Sequence, residues 1–458
     1  MSASVATEAA QTVGDSARRW GVIAIELASI SAGMRDSWSG LAALATFARL
    51  DELARRIERA IGEHAYLAEV LAAEGARLEG AIARSDREAA ADADAALVAL
   101  LGTDWEADRV RSLLQGPVAV DESTAPAGLR GHGPLRPPPS YLGVDPAVRA
   151  AAWHGLSPFE RAAWAERHPG LSDGAGLAAT SRDALNRVEL ARALGGGPAG
   201  ADNRTHRRMT AAARHLVAQP DARLLGLRPD GRGVLASGDP GDADEVVTLV
   251  PGTGASMETI DRSVERADAV CEELGGRGSG GDDGGDIGGE RCVSIAWMDY
   301  EAPETIPAAA LDRGRADDAA PRLREFQEGL REMTDGRLGA IGYSYGGVAL
   351  GLAASGSGVS ADELAFVAAP GVGAEHASEL TLRDGEGTRR AGGPESVSAV
   401  ASRWDPIPWW ALTKTFGPDP SGADFGADSR RLDGFVGHSD YFDRRSVPLA
   451  EIGEALGE

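Results

Sequence analysis

Cysteine is almost absent from this chain of 458 residues, which contains only Cys271 and Cys292. Two cysteines cannot form a disulfide framework, and these two lack the CxxC spacing typical of metal sites. One bridge between them is compatible with the sequence, although nothing in the sequence requires it. A small disulfide-stapled fold and a cysteine metal cluster are therefore excluded.

Basic residues are also few: 46 Lys and Arg face 70 Asp and Glu, for a net charge of −24. Such a surface repels phosphate backbones, which excludes nucleic acid as a partner. Hydrophobic residues make up 43% of the chain, enough to build buried cores and to exclude wholesale disorder. The length predicts two or three domains.

Long apolar runs are missing as well. No stretch approaches the roughly 18 apolar residues of a membrane-spanning helix. The N-terminus, MSASVATEAAQTVGDSARRW, contains acidic residues and no apolar core of a secretory signal. By these signals we expect a soluble, cytoplasmic protein with no membrane span.

The domain organisation is read from a Pro/Gly-rich stretch at residues 116–140, where three consecutive prolines forbid a helix. This linker separates an α-helical hairpin at 1–115 from the rest of the chain. Residues 141–220 are predicted to be helical, since Ser157 and Glu160 have the spacing of a capping box at a helix start. We expect this region to pack on the catalytic core. Residues 221–458 form the predicted catalytic domain.

The predicted hairpin rests on two apolar stripes with helical spacing. The first consists of Trp20, Ile23, Leu27, Ile30 and Met34. The second consists of Ile57, Ile61, Ala68, Leu71, Leu78 and Ile82. His64 falls on the second stripe, where we expect a packed core histidine. Trp38-Ser39-Gly40 lies between the stripes and supplies a turn.

This Trp-x-Gly turn resembles that of the WXG100 proteins, small helical hairpins associated with type VII secretion. The resemblance implies export by a type VII-like route and a secretion partner. In that family a Tyr-x-x-x-Asp/Glu signal commonly follows, but here Val70 follows Tyr66 at that spacing. The alternative is a helical pair used for self-association or docking.

From about residue 222, short apolar runs alternate with glycine-rich turns and helical stretches. This alternation predicts a mostly parallel sheet with helices on both faces. The acidic loop 275–290 interrupts the pattern. Its Asp282, Asp283 and Asp286 do not match a calcium-binding EF-hand loop, so we expect no metal.

Catalytic chemistry is indicated by Gly342-Tyr343-Ser344-Tyr345-Gly346, which follows an apolar strand and precedes an Ala/Leu-rich helix. A nucleophile elbow requires this strand, turn and helix context. Side chains at Gly342 and Gly346 would clash, because their neighbours approach closely. We therefore expect Ser344 to be a nucleophile.

A serine hydroxyl needs a base, and the base needs an orienting acid. In this fold the acid and then the histidine follow the serine along the chain. His438 is better placed than His376, which comes directly after the next strand. Asp405 follows a predicted strand, whereas the competitors Asp419 and Asp424 lie in a loop further from any strand end.

An oxyanion hole requires backbone N–H groups beside the nucleophile. Tyr345 should supply one and Thr253, in Pro251-Gly252-Thr253-Gly254 after an apolar strand, the other. The same loop could be read as a phosphate loop, but it lacks GxGxxG and a P-loop lysine. No cofactor is expected.

The motifs VPGTGA, AWMDYEAP, GYSYGG, FVAAPGVG and GHSDYF resemble, in this order, an actinobacterial α/β-hydrolase family long labelled a domain of unknown function. The resemblance spans roughly residues 145–455. That family usually has histidine before the nucleophile, where this chain has Tyr343. The resemblance implies an α/β-hydrolase fold and a serine hydrolase.

The predicted function is hydrolysis of a small acyl ester through an acyl-enzyme on Ser344, as in carboxylesterases and lipases. A thioesterase or amidase is the first alternative. The second is a type VII secretion-associated interaction protein that uses the hydrolase fold as a scaffold. Trp404, Trp409 and Trp410 would either line an acyl site or pack against neighbouring helices.

Overall fold

A computed structural model describes residues 3–37, scattered positions between 50 and 76, residue 172, and residues 176–195, 203–275, 291–305, 312–405 without 386, 407 and 415–457. The chain divides into two compact units. The first comprises residues 1–174 and 180–200, and the second comprises residues 175–179 and 201–458. The predicted linker at 116–140 and the acidic stretch 276–290 lie outside the described residues. Among the described residues, no helix is long and apolar enough to cross a membrane.

The first unit contains helix α1 (Ala3–Ser37) and most of α2 (Ala179–Gly195). Residues 141–220, predicted as one helical region on the catalytic core, are thus divided: most of α2 belongs to the first unit and α3 (Asn203–Ala218) to the second. The turn predicted at Trp38-Ser39-Gly40 is outside the described residues.

The predicted stripe of α1 is only partly buried: Trp20 and Leu27 are half-buried, and the side chains of Ile30 and Met34 lie outside the described residues. Ile23 is 42% exposed. The buried residues follow a different stripe and are mostly small: Ala10, Gly14, Ser16, Ala17, Gly21, Ala24 and Ile25. Small side chains let neighbouring groups approach closely: a methyl group added at Gly21 would lie 2.5 Å from the Arg187 Cδ atom. The buried face of α1 thus combines close packing of small residues with the large side chain of Ile25.

The second stripe is buried where the structure describes it. Ile57, Ile61 and Ala68 are at most 5% exposed. His64 is 1% exposed, and its Nδ1 donates to the Ala60 carbonyl at 2.7 Å. This is the packed core histidine that the sequence predicts.

The second unit is built on an eight-stranded sheet in the order β1-β2-β4-β3-β5-β7-β10-β11. The strands are β1 (Arg223–Leu227), β2 (Gly233–Ala236), β3 (Glu245–Val250), β4 (Cys292–Met298), β5 (Arg337–Tyr343), β7 (Glu363–Val367), β10 (Val397–Ser402) and β11 (Asp428–Leu432). β2 pairs antiparallel with β1 and β4, and all pairs from β4 to β11 are parallel. A small second sheet contains β6 (Val359–Ser360), β8 (Thr381–Arg383) and β9 (Arg389–Ala391).

Helices cover both faces of the large sheet, because the parallel strands are apolar on both sides. They are α4 (Ile260–Gly275), α5 (Gly314–Arg331), α6 (Tyr345–Ala354) and α7 (Val447–Glu454). On β5, Leu338 and Ala340 join the core beneath α5 and α6. The alternate residues Ile341 and Tyr343 join the core beneath α4 and α7. The α/β-hydrolase fold predicted from the sequence is confirmed.

A disulfide joins the end of α4 to the start of β4. Cys271 and Cys292 are 21 positions apart, with Cα atoms 5.3 Å from each other. The disulfide that the sequence permits but does not require is thus formed, and it links the two ends of the segment that contains the acidic stretch. Closing a loop of this length stabilises a fold by about 3 kcal/mol, mainly by restricting the unfolded chain.

We expect reduction of this bridge to lower the thermal unfolding midpoint of the second unit by several degrees. The measurement is calorimetry with and without a thiol reductant. The double variant Cys271→Ser/Cys292→Ser should unfold at the reduced protein's midpoint and should not respond to reductant. Equal midpoints for the oxidised and reduced parent would contradict the prediction.

Candidate active site

Ser344 occupies a sharp turn between β5 and α6. Its backbone is left-handed, with φ 55° and ψ −126°, and its side chain is mostly buried. A non-glycine residue in such a conformation costs about 1–3 kcal/mol, so surrounding structure must hold it there. The turn raises the hydroxyl above the carboxyl edge of the parallel strands, where active sites of open α/β sheets lie.

Close backbone contacts hold this turn. A Cβ atom at Gly346 would lie 2.0 Å from the Val250 carbonyl oxygen. A Cβ atom at Gly342 would lie 2.6 Å from the Cα of Gly347. The structure thus places both predicted elbow glycines where no side chain fits.

His438 lies between the serine and a carboxylate. Its Nε2 is 2.9 Å from the Ser344 Oγ, and its Nδ1 is 2.8 Å from the Asp405 Oδ2. Because a carboxylate only accepts hydrogen bonds, Nδ1 carries the proton and Nε2 is left to accept from the serine hydroxyl. The structure therefore brings together the three side chains that the sequence predicts as nucleophile, base and acid.

Asp405 is fully buried just beyond the end of β10. Its Oδ1 accepts a hydrogen bond from the Ile407 N–H at 3.0 Å, while Oδ2 faces His438. Both carboxylate oxygens are therefore satisfied, as a buried charge requires.

The competing residues are engaged elsewhere. Asp419 accepts from the Ser421 N–H and pairs with Arg431 at 2.6 Å. Asp424 lies in a single 3₁₀ turn, Ala423–Phe425. His376 caps its own turn by accepting from the Ser378 N–H at 3.1 Å. None of these three contacts Ser344 or His438 among the described interactions.

Two tyrosines that the sequence did not place in the site support this arrangement. Tyr343 donates its hydroxyl to the His438 carbonyl and stacks on the imidazole, with ring centroids 5.3 Å apart. Burial raises the pKa of Tyr343 to about 12, so its hydroxyl stays protonated as a donor. Tyr441 is fully buried, and its hydroxyl accepts from the Ser402 N–H at 2.8 Å. Ser402 is the last residue of β10, three positions before Asp405. Tyr343 directly precedes Ser344, and Tyr441 follows His438 by three positions. This closeness in sequence is the signal that could have placed them in the site.

The loop after β3 approaches the nucleophile from the other side. A Cβ atom at Gly252 would lie 2.7 Å from the Ser344 Cβ. The N–H groups of Thr253 and Tyr345 make no hydrogen bond to the described residues, whereas the Gly254 N–H donates to the Pro303 carbonyl at 2.7 Å. The loop thus brings unengaged backbone donors next to the serine, as an oxyanion site requires.

A cleft of about 560 Å³ opens near the ends of β10 and β11. Trp404, Arg403, Asp419 and Arg431 are among its lining residues, and Ser344 and His438 are not. Trp404 is 58% exposed, and its indole N–H donates to the Asp433 carbonyl at 3.1 Å. Because charged groups line this cleft, it does not match the apolar acyl site considered for Trp404. Trp409 and Trp410 lie outside the described residues.

Within the described part of the chain, no group of three or more His, Cys, Asp and Glu side chains could hold a metal ion. The aspartates considered for calcium are outside the described residues. The arrangement that is present suits proton transfer and nucleophilic attack by the chain's own side chains.

Residues 228–401 match a family described as "Alpha/beta hydrolase". The match contains Ser344 and the loop at Thr253 and ends just before Asp405. The match and the sheet order agree on an α/β-hydrolase fold for this part of the chain. No curated protein matches the sequence.

Several solved structures are similar to the chain. Esterase LipW from Mycobacterium marinum is 19% identical, with 55% of this chain and 86% of that chain covered and a TM-score of 0.30. The thioesterase domain from the curacin biosynthetic pathway is 12% identical, with 50% and 97% covered and a TM-score of 0.27. The Francisella virulence factor BioJ is 13% identical, with 54% and 90% covered and a TM-score of 0.30.

The close contacts at the Ser344 turn predict that Gly346→Ala destabilises the second unit. The new methyl group would meet the Val250 carbonyl, and such overpacking costs about 1–3 kcal/mol or more. Thermal or urea unfolding measures the effect. Gly393→Ala is the matched control, because a Cβ there meets no atom within 4 Å. Equal loss of stability in both variants would contradict the close approach.

Proposed function

We propose that the catalytic unit is a serine hydrolase that cleaves a small carboxylic ester. The observation that carries the proposal is the continuous hydrogen-bonded series from Ser344 through His438 to the buried Asp405, with distances of 2.9 and 2.8 Å. A serine hydroxyl becomes a nucleophile when an oriented base can take its proton.

In the first half-reaction the Ser344 Oγ attacks the ester carbonyl carbon while His438 Nε2 takes the hydroxyl proton. The carbonyl oxygen becomes an oxyanion, which the N–H groups of Thr253 and Tyr345 stabilise. The intermediate then collapses, the C–O bond to the alcohol breaks, and Nε2 returns its proton to the leaving oxygen. An acyl-enzyme on Ser344 remains.

In the second half-reaction water attacks the acyl carbonyl and gives a proton to His438 Nε2. The new tetrahedral intermediate releases the carboxylic acid, and the Ser344 Oγ recovers the proton. Asp405 keeps its charge throughout, because its role is to hold the imidazole in one tautomer and to stabilise the imidazolium. Full burial strengthens this interaction by excluding water.

Thioesters and amides share the acyl carbonyl, and their hydrolysis would use the same residues. A secretion-associated scaffold, the other alternative, would need no turnover at all. The N-terminal helices are the proposed surface for self-association or for a secretion partner in that case.

Ser344→Ala should abolish hydrolysis of p-nitrophenyl esters, with kcat/KM falling at least about 10³-fold, because the nucleophile is lost. A fluorophosphonate probe should label the parent at Ser344, as read by peptide mass spectrometry. The matched control Ser357→Ala removes an exposed serine and should keep both activity and labelling. Absence of labelling and turnover in the folded parent would favour the scaffold.

Among substrates with one acyl group and three leaving groups, the ester should show the highest kcat/KM. The comparison uses a p-nitrophenyl ester, the corresponding aryl thioester and the p-nitroanilide, measured with the parent and with Ser344→Ala as the blank. A thioester or anilide preference of tenfold or more would replace the ester assignment with the thioesterase or amidase alternative.

A further inference from the structure

The loop after β4, Asp299-Tyr300-Glu301-Ala302-Pro303, has no part in the reaction described above, yet it contacts the oxyanion loop twice. The hydroxyl of Tyr300 donates to the Pro251 carbonyl. The Pro303 carbonyl accepts from the Gly254 N–H at 2.7 Å. These two hydrogen bonds lie on either side of Gly252 and Thr253.

These two hydrogen bonds restrict the peptide plane that lies between them, because each peptide unit is planar. The Pro251 carbonyl belongs to the Pro251–Gly252 peptide plane, and the Gly254 N–H belongs to the Thr253–Gly254 plane. The single plane between them carries the Thr253 N–H. With both flanking planes held, the direction of that N–H has little freedom left. The Tyr300 hydrogen bond therefore influences the direction of the Thr253 N–H, the proposed oxyanion donor.

Tyr300 is itself firmly placed. Its side chain is 4% exposed and stacks on the fully buried Trp297, with ring centroids 5.8 Å apart. Burial raises the pKa of Tyr300, so the phenol keeps its proton and can donate to the carbonyl.

Ion pairs fix the residues on both sides of Tyr300. Asp299 accepts from Arg228 at 2.8 Å, and Glu301 accepts from Arg208 through two bonds of 2.6 and 2.8 Å. The hydrogen bond and charge of Arg208 lower the pKa of Glu301, which keeps this pair charged near neutral pH. Asp299 and Glu301 are thus each held by an arginine, while Tyr300 between them reaches the Pro251 carbonyl.

We propose that Tyr300 is a positioning residue for the oxyanion loop: its hydroxyl, through the Pro251 carbonyl, sets the direction of the Thr253 N–H. The proposal rests on the proposed function, since it assigns Thr253 as an oxyanion donor. Tyr300 contacts no reacting atom. Its effect should therefore appear in the stability of the tetrahedral intermediate rather than in substrate binding.

The test is Tyr300→Phe, which removes only the hydroxyl. With a p-nitrophenyl ester we expect kcat to fall about tenfold and KM to change less than twofold, because oxyanion donors act in the transition state. Inhibition by phenylboronic acid, which forms a tetrahedral adduct on a reactive serine, should weaken by a similar factor.

Thr334→Val is the matched control. Thr334 is 5% exposed, and its hydroxyl also donates to a backbone carbonyl, that of Ala243, but next to the amino ends of β3 and β5. It should lower the unfolding midpoint while kcat stays at the parent's value. If kcat falls in step with stability in both variants, the role of Tyr300 is structural and the proposal is overturned.

Should Tyr300→Phe fail to fold, Glu301→Gln tests the same loop. It weakens the pair with Arg208 and should lower kcat by a smaller factor at unchanged KM. Unchanged kcat in the folded variant would overturn the proposal. An inactive parent that no fluorophosphonate labels would instead mean that the proposed function has failed, which separates the two outcomes.

Discussion

The left-handed backbone of Ser344 is the constraint on which the rest of the site depends. A strained serine persists only where its neighbours leave no relaxed alternative. Here Gly346 fits against the Val250 carbonyl so closely that a methyl group would lie 2.0 Å from that oxygen. The same contact brings the end of β3, and with it the loop at Gly252 and Thr253, beside the serine. One close approach therefore both maintains the turn and delivers the backbone donors.

The sharp turn at Ser344 explains why the residues flanking it have different surroundings. Residues two positions apart share a face in a continuous strand, but β5 ends at Tyr343 and Tyr345 already belongs to α6. Tyr343 joins the core beneath α4 and α7, where it meets His438 and Phe442. Tyr345 joins the core beneath α5, where its hydroxyl accepts from the Ala316 N–H at 3.2 Å. Ser344 is thus anchored in both layers of helices, and His438 is tied to one of them.

Much of this organisation could be predicted from the sequence, because it is encoded locally or by chain order. The fold class follows from the alternation of short apolar runs with helical stretches. Ser344, Asp405 and His438 follow one another along the chain in the order expected for that fold, and the structure brings them together. Contacts between distant segments could not be predicted. The Tyr300 bond to Pro251 joins residues 49 positions apart, and nothing in either segment specifies the pairing. The buried face of α1 was missed because alanine and glycine make up most of it, and Ile25 alone does not form a large apolar stripe.

Burial distinguishes Asp405 from the other aspartates that the sequence offers for the role of orienting acid. Asp419 pairs with Arg431 and the Ser421 N–H, and neither Asp419 nor Asp424 has a hydrogen bond to a histidine among the described interactions. Asp405 has no exposed surface, and its charge is tolerable only with partners on both oxygens. The Ile407 N–H supplies one partner and His438 the other. Burial therefore makes the carboxylate depend on the imidazole as much as the imidazole depends on the carboxylate. That mutual requirement fixes the orientation of His438 toward Ser344 before any substrate arrives.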